Sequence, residues 1–338
     1  MQHWIVLAAL ALCLCGASAA ALADGCANAT NTSLWTRETS DHSSHGYPLG
    51  EGLIDRFDWQ VLETGDPAIG ALDYYVYDPV AHGASPDKTY PLLLMFHGAN
   101  NGGKNDVRCG ALTDWMIFAG EDYQAQLGGA YIVFPKANEY TTAQQRTAEG
   151  KTYTYQPTGT WMRAENGTSV YSDALAKLTT LLCQKYPISQ VDVLGTSAGG
   201  YMAWRFAIDH PSLCHCVVPV APAYRPTREE LSALSQTDIR LWVIHGEQDA
   251  NCPILLYTGG IATELAAMPN TRVSILDIVR FGDKRIVSVP SGGRDIGQHL
   301  AQFAVGQNML YDDGTPYDSR YPMGLIDWLT DNDHARHE

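Results

Sequence analysis

The chain has 338 residues, of which 45% are apolar and 17% charged, and its formal net charge is −15. That is a globular composition, long enough for one large core. The acidic balance argues against nucleic acid or an anionic membrane surface as a partner.

Residues 1–23 contain no Lys, Arg, Asp or Glu, and Ile5 to Cys15 is a continuous apolar run. Ala-x-Ala sites follow at Ala17-Ser18-Ala19 and Ala21-Leu22-Ala23. This reads as a secretory signal peptide cleaved near Ala19 or Ala23, and the run is short for a membrane span. The expected product is extracellular, with no membrane attachment after cleavage. Residues 24–50 read as a polar arm rich in Ser, Thr, Asn and His, and residues 51–338 as a single domain. Of eight cysteines, six follow the signal: Cys26, Cys109, Cys183, Cys214, Cys216 and Cys252. An even count in an exported chain predicts up to three disulfides. Sequons at Asn28, Asn31 and Asn166 are glycan acceptors if the host glycosylates.

Asp58 to Glu63 and Leu72 to Tyr77 alternate like strands and suit an antiparallel opening pair at a sheet edge. Tyr90 to Phe96 is a continuous apolar run, the pattern of a strand buried on both faces. Helical spacing covers 111–127, and Ala130 to Phe134 is the next buried strand. Residues 136–170 lack periodicity, as a long functional loop would. Asp173 to Tyr186 is a helix with Leu175, Leu178, Leu181 and Leu182 on one side. Strands follow at 191–194, 217–220, 241–245 and 272–279, with helices at 197–209, 228–234, 255–268 and 324–330. Arg280 to Arg285 reads as a polar turn. Alternation of strand and helix predicts a doubly wound, mostly parallel α/β sheet flanked by helices.

Val191-Asp-Val-Leu-Gly195-Thr-Ser197-Ala-Gly199-Gly200 joins a strand to a helix through Gly-x-Ser-x-Gly. Such an elbow holds a serine hydroxyl clear of the backbone at a helix N-terminus. Ser197 is therefore the candidate nucleophile; the bland alternative is a helix N-cap. A serine needs a base to take its proton and an acid to orient that base. The acid is expected after the strand two along from the elbow, where His245-Gly246-Glu247-Gln248-Asp249 supplies Asp249, with Glu247 as competitor. The base should come later in the chain. Only His299, His334 and His337 follow Asp249, and the last two lie in a polar tail, so His299 is favoured. Oxyanion donors are expected at the backbone of Ala198 and of Gly98 or Ala99 in the loop after Phe96. His97 and His245 read as packed strand-end histidines. Trp161 and Tyr155 are candidate substrate-binding aromatics, although packing of the loop explains them equally well. Cys214-His215-Cys216 hints at a metal, but its spacing is not that of a zinc knuckle, so no metal is expected.

Phe96-His97-Gly98, Gly195-Thr-Ser197-Ala-Gly199-Gly200-Tyr-Met and His245-Gly246-x-x-Asp249 resemble the α/β-hydrolase superfamily. Within it they look most like secreted esterases grouped with poly(3-hydroxybutyrate) depolymerases, feruloyl and acetylxylan esterases and related predicted peptidases. The resemblance runs from Leu72 to Leu329 and implies a Ser197, Asp249, His299 triad. One departure is Gln298, where these relatives usually carry Gly before the histidine. The resulting expectation is a secreted serine hydrolase of carboxylic esters, needing no metal or organic cofactor. Its substrates would be polymeric or carbohydrate-linked esters, such as feruloyl or acetyl polysaccharides or a polyester. The alternatives are a serine peptidase of the same fold and a catalytically silent binding protein.

Overall fold

The computed structural model describes residues 53–66, 69–99, 115–137, 144–148, 151–155, 161, 167–281, 284–285, 299–311 and 313–330. The expected signal peptide, polar arm, glycan sites, Cys26, Cys109, Gln298, His334 and His337 lie outside these residues.

Apolar strand formers build one eight-stranded sheet. Its strands are β1 (Asp58–Glu63), β2 (Ala71–Tyr77), β3 (Tyr90–Phe96), β4 (Tyr131–Pro135), β7 (Ile188–Thr196), β8 (Cys216–Val220), β9 (Arg240–Gly246) and β10 (Thr271–Leu276). Between β4 and β7, β5 (Gln144–Ala148) and β6 (Lys151–Tyr155) form a separate antiparallel hairpin. A second hairpin pairs β11 (Arg280–Phe281) with β12 (Lys284–Arg285). The main sheet runs β1-β2-β4-β3-β7-β8-β9-β10. The first two strands form the antiparallel edge, and β4 through β10 in that order are parallel.

The helices are α1 (Glu121–Leu127), α2 (Ser172–Lys185), α3 (Ala198–Asp209), α4 (Arg228–Leu234), α5 (Ala262–Ala267), α6 (Gln302–Gly306) and α7 (Leu325–Leu329). Both faces of the sheet are covered, which explains why β3 is apolar at every position rather than at alternate ones. Leu93 and Met95 pack with Leu194, Trp242, Phe303 of α6 and Trp328 of α7 on one face. Leu92 and Leu94 pack on the other with Val243, Leu178 of α2, Met202 of α3 and Leu231 of α4. At about 25 cal/mol per Å² of apolar surface buried, these two layers are the main favourable term in folding.

Five expectations change. Residues 136–170 contain the β5–β6 hairpin, and the turn at 280–285 is a small hairpin. The helix expected over 255–268 begins as two 3-10 turns, Ile254–Leu256 and Thr258–Ile261, separated by Tyr257 at φ −116°, ψ −110°, outside the helical region. With two glycines, poor helix formers, in the second turn, α5 starts only at Ala262. Leu181 lies off the buried stripe of α2 and is 42% exposed, since it sits on a neighbouring helical angle to Leu175, Leu178 and Leu182. The expected set of up to three disulfides is not seen among the described residues: Cys183, Cys214, Cys216 and Cys252 all carry unoxidised thiols. Cys216 opens β8 while Cys252 follows β9, so these two lie at opposite ends of the parallel sheet. Among the described residues, no helix is long and apolar enough to cross a membrane.

Candidate active site

The turn from β7 into α3 is built for close crossing. Ser197 sits at φ 56°, ψ −115°, a strained conformation for a residue with a side chain. Its N–H donates to the Val220 carbonyl at 2.9 Å, and its own carbonyl accepts from Tyr201 and Ala223. A β-carbon on Gly195 would lie 2.1 Å from the Gly199 oxygen, and one on Gly199 would lie 2.1 Å from the Phe96 oxygen. One on Gly200 would lie 2.8 Å from Pro222 Cα. Only glycine fits these three positions, and the strain at Ser197 is held by strands on both sides.

Ser197 makes no capping hydrogen bond to α3, so the N-cap alternative does not describe it. Its Oγ instead lies 2.9 Å from His299 Nε2. His299 Nδ1 lies 2.8 Å from Asp249 Oδ2. Three residues drawn from positions 197, 249 and 299 thus form one continuous hydrogen-bonded relay. Asp249 follows β9, which is two strands along from β7. The competitor Glu247 is exposed, whereas Asp249 is buried.

The Asp249 carboxylate has every acceptor site used. Oδ1 takes the backbone N–H groups of Asn251 at 2.8 Å and Cys252 at 2.7 Å. Oδ2 takes His299 and, at 3.3 Å, His245 Nε2. Burial opposes its charge, but the hydrogen bonds from His245, His299 and Cys252 outweigh burial and hold its pKa well below the usual carboxylate range. Burial also opposes a charge on His299. The Asp249 hydrogen bond and charge, with the neighbouring Cys252, outweigh that and raise its pKa. Asp249, Cys252 and His299 have donor atoms within 4.8 Å of one another, which is also a set able to hold a soft cation.

His245 is the site residue that sequence reading missed. It is a packed strand-end histidine, but it packs against the acid. Its Nε2 lies 2.8 Å from the Cys252 carbonyl, which can only accept, so Nε2 carries the proton and shares it with Asp249. Nδ1 then accepts from the Thr258 hydroxyl at 2.8 Å. Spacing of four residues between His245 and Asp249, across a strand end, was the available signal.

The loop after β3 is set by a second buried histidine. His97 Nε2 accepts from the Ala137 N–H at 3.0 Å, so Nδ1 bears the proton and donates to the Gly98 carbonyl at 2.7 Å. Burial pushes the pKa of His97 down to about 4, against the opposing effect of that carbonyl and with help from Lys136. With the Gly98 carbonyl turned toward His97, the trans peptide directs the Ala99 N–H the opposite way. Gly98 is buried and Ala99 half-buried. Ala198 heads α3, where N–H groups have no partner within the helix.

Trp161 is corrected by its position. It is 3% exposed, stacks on His97 at 4.7 Å and donates from Nε1 to the His97 carbonyl at 2.9 Å. Its indole braces the loop after β3 and offers no surface to a ligand. Tyr155 falls in β6, and its side chain lies outside the described residues, as do Asn100 to Gly103.

A family model for the alpha/beta hydrolase fold matches residues 72–307. The chain belongs to this family. The Ser-to-Asp-to-His order along the chain and the strained elbow are what an alpha/beta hydrolase requires. Among solved structures the chain is similar to a thermostable esterase, with 20% identity and a TM-score of 0.55 over 76% of this chain. It spans 61% of that esterase's length. It is also similar to an S-formylglutathione hydrolase from Staphylococcus aureus, with 15% identity and a TM-score of 0.41, over 65% of this chain and 89% of that one. A ferulic acid esterase aligns with 13% identity and a TM-score of 0.44, again over 65% and 89%. No curated protein matches the sequence.

Proposed function

We propose that this alpha/beta hydrolase is a secreted serine hydrolase that cleaves carboxylic esters through an acyl-enzyme. The observation that carries this reading is the relay of Ser197 Oγ, His299 and Asp249 with links of 2.9 and 2.8 Å. In the proposed reaction, His299 Nε2 takes the Ser197 proton as Oγ attacks the ester carbonyl carbon. Asp249 stays ionised and stabilises the imidazolium. The oxyanion accepts hydrogen bonds from the Ala198 N–H and from Gly98 or Ala99. Each such donor is worth about 3 kcal/mol in the transition state. The imidazolium then protonates the leaving alkoxide. Water, deprotonated by the same nitrogen, releases the acid and restores Ser197.

Polymeric or carbohydrate-linked esters, of the feruloyl, acetyl or polyester kind, are the proposed substrates. Leu255 and Leu256, 79% and 64% exposed and three and four residues after Cys252, give the acid loop an apolar flank suited to such a surface. Export by the segment 1–23 belongs to the same proposal and is checked by N-terminal sequencing of the mature protein.

The test is labelling with a fluorophosphonate and peptide mapping, beside turnover of p-nitrophenyl acetate, methyl ferulate and a peptide anilide. A label on Ser197 and turnover of the esters are expected, with loss of about 10⁴-fold in Ser197→Ala. Preferred cleavage of the anilide would make the protein a peptidase. Folded protein that takes no label would make it a binding module.

A further inference from the structure

Three donors of different chemistry meet at the end of the sheet opposite Ser197. Asp192 of β7 and Cys216 of β8 are partners across the parallel pair, and both are fully buried. His215, one residue before Cys216, turns its ring to the same point. Its Nδ1 lies 3.0 Å from Asp192 Oδ1 and 3.2 Å from Cys216 Sγ. The oxygen, nitrogen and sulfur atoms all fall within 4.8 Å of one another.

One ring nitrogen faces both neighbours, and a single proton on it can point at only one of them. A Cys-His-Asp relay is excluded, because that needs the two different ring nitrogens. Carboxylate, imidazole and thiol nonetheless converge on one point, the donor set of a divalent cation, which would replace the His215–Asp192 hydrogen bond. Zinc takes bonds of about 2.0–2.2 Å to nitrogen and oxygen and about 2.3 Å to sulfur, so tetrahedral ligand atoms lie roughly 3.3–3.6 Å apart. The His215–Asp192 and His215–Cys216 separations need open by only a few tenths of an ångström. Gln190 Nε2 holds Asp192 Oδ2 at 3.0 Å, and the Cys216 N–H holds Oδ1 at 3.2 Å, an outer shell that orients the carboxylate. Access is open: the His215 side chain is 28% exposed, and Gln190, Cys214 and His215 line a cavity of about 730 Å³.

We infer that Asp192, His215 and Cys216 form a site for a zinc-class divalent cation, completed by water from this cavity and clamping β7 to β8. Binding releases the Cys216 thiol proton to solvent, and the His215 ring proton, which faces the Asp192 carboxylate from Nδ1, moves to Nε2 so that Nδ1 can coordinate. The Cys214-His215-Cys216 run lacks zinc-knuckle spacing because the third ligand comes from the neighbouring strand. This site is independent of the hydrolase reading.

The set of Asp249, Cys252 and His299 could also take a soft ion, so the test uses a Cys252→Ala background. Cobalt(II) is titrated and the thiolate-to-metal charge-transfer band followed, with zinc retention measured by equilibrium dialysis. One equivalent is expected to bind, and Tm to rise by about 5 °C at an ion concentration a hundred times Kd. Adding Cys216→Ser should abolish the band, and His215→Gln should weaken binding more than about tenfold. Circular dichroism checks that each variant is folded. The inference fails if the Cys252→Ala protein shows no band and retains no zinc, or if binding is undiminished in both added variants.

Discussion

Replacing Asp249 by Asn changes one atom and tests the whole relay. Oδ1 accepts two backbone N–H groups, from Asn251 and Cys252, so the amide oxygen must stay at that position. The amide NH₂ then takes the place of Oδ2 and faces His299 Nδ1, 2.8 Å away in the wild type. A donor there forces Nδ1 to be the acceptor and moves the ring proton to Nε2. Nε2 would then donate to Ser197 and could not take its proton. A wrong tautomer of this kind costs about 10⁴-fold in kcat, or about 5 kcal/mol. The pH profile gives a second, independent sign. The base works only when neutral, so activity rises with pH through the His299 pKa. Asp249 raises that pKa; with Asn, its hydrogen bond and charge are lost while burial still opposes the imidazolium and only the Cys252 contribution still favours it, so the pKa falls. The acid limb of kcat/KM should therefore move to lower pH while the plateau collapses. Stopped-flow hydrolysis of p-nitrophenyl acetate from pH 5 to 10 measures both. A variant within tenfold of wild type, or an acid limb shifted upward, would refute the reasoning.

Gly199→Ala should cost about 10²-fold or more in kcat/KM, because its β-carbon would meet the Phe96 and His97 carbonyls at 2.1 and 2.6 Å and push α3 off the loop after β3. Slowed fluorophosphonate labelling in protein with native circular dichroism is the readout. His97 is held neutral in the fold, with a pKa of about 4 against 6.5 unfolded. Below 6.5 the unfolded chain binds a proton that the folded chain refuses, so stability falls by about 3 kcal/mol between pH 6.5 and 4. Urea melts across that range should show this loss in wild type and a shallower dependence in His97→Gln. His245→Leu leaves the Cys252 carbonyl without its donor and Asp249 with one fewer, at a cost of about 1–3 kcal/mol in unfolding free energy. Calorimetry that finds no change would show that His245 does not hold the acid loop.

Local pattern carried most of the fold and the nucleophile. The apolar runs at 90–96 and 191–194 announced strands covered on both faces, and Gly195, Ser197, Gly199 and Gly200 announced the elbow. Position after the strand two along from the elbow then pointed to Asp249, with Glu247 as competitor, and chain order with elimination favoured His299. Pattern misled where a contact depends on distant backbone. The helix expected over 255–268 is interrupted at Tyr257, whose backbone leaves the helical region before Gly259 and Gly260. Trp161 carries an aromatic surface in any sequence reading, and only the stacking on His97 turns it inward. His245 looked like a packed histidine because its acceptor, the Cys252 carbonyl, is created by the turn that follows it. By itself the sequence determined a doubly wound α/β architecture and, through the motifs that resemble α/β-hydrolases, the residue types of the relay, because pattern and chain order are properties of one dimension. The tertiary structure alone decided which hydrogen-bonding groups face one another: His245 against Asp249, His97 against Gly98, and Asp192 against His215 and Cys216. The last of these joins the neighbouring strands β7 and β8, and the first two depend on how a loop turns back at a strand end; both are set by packing rather than by local pattern.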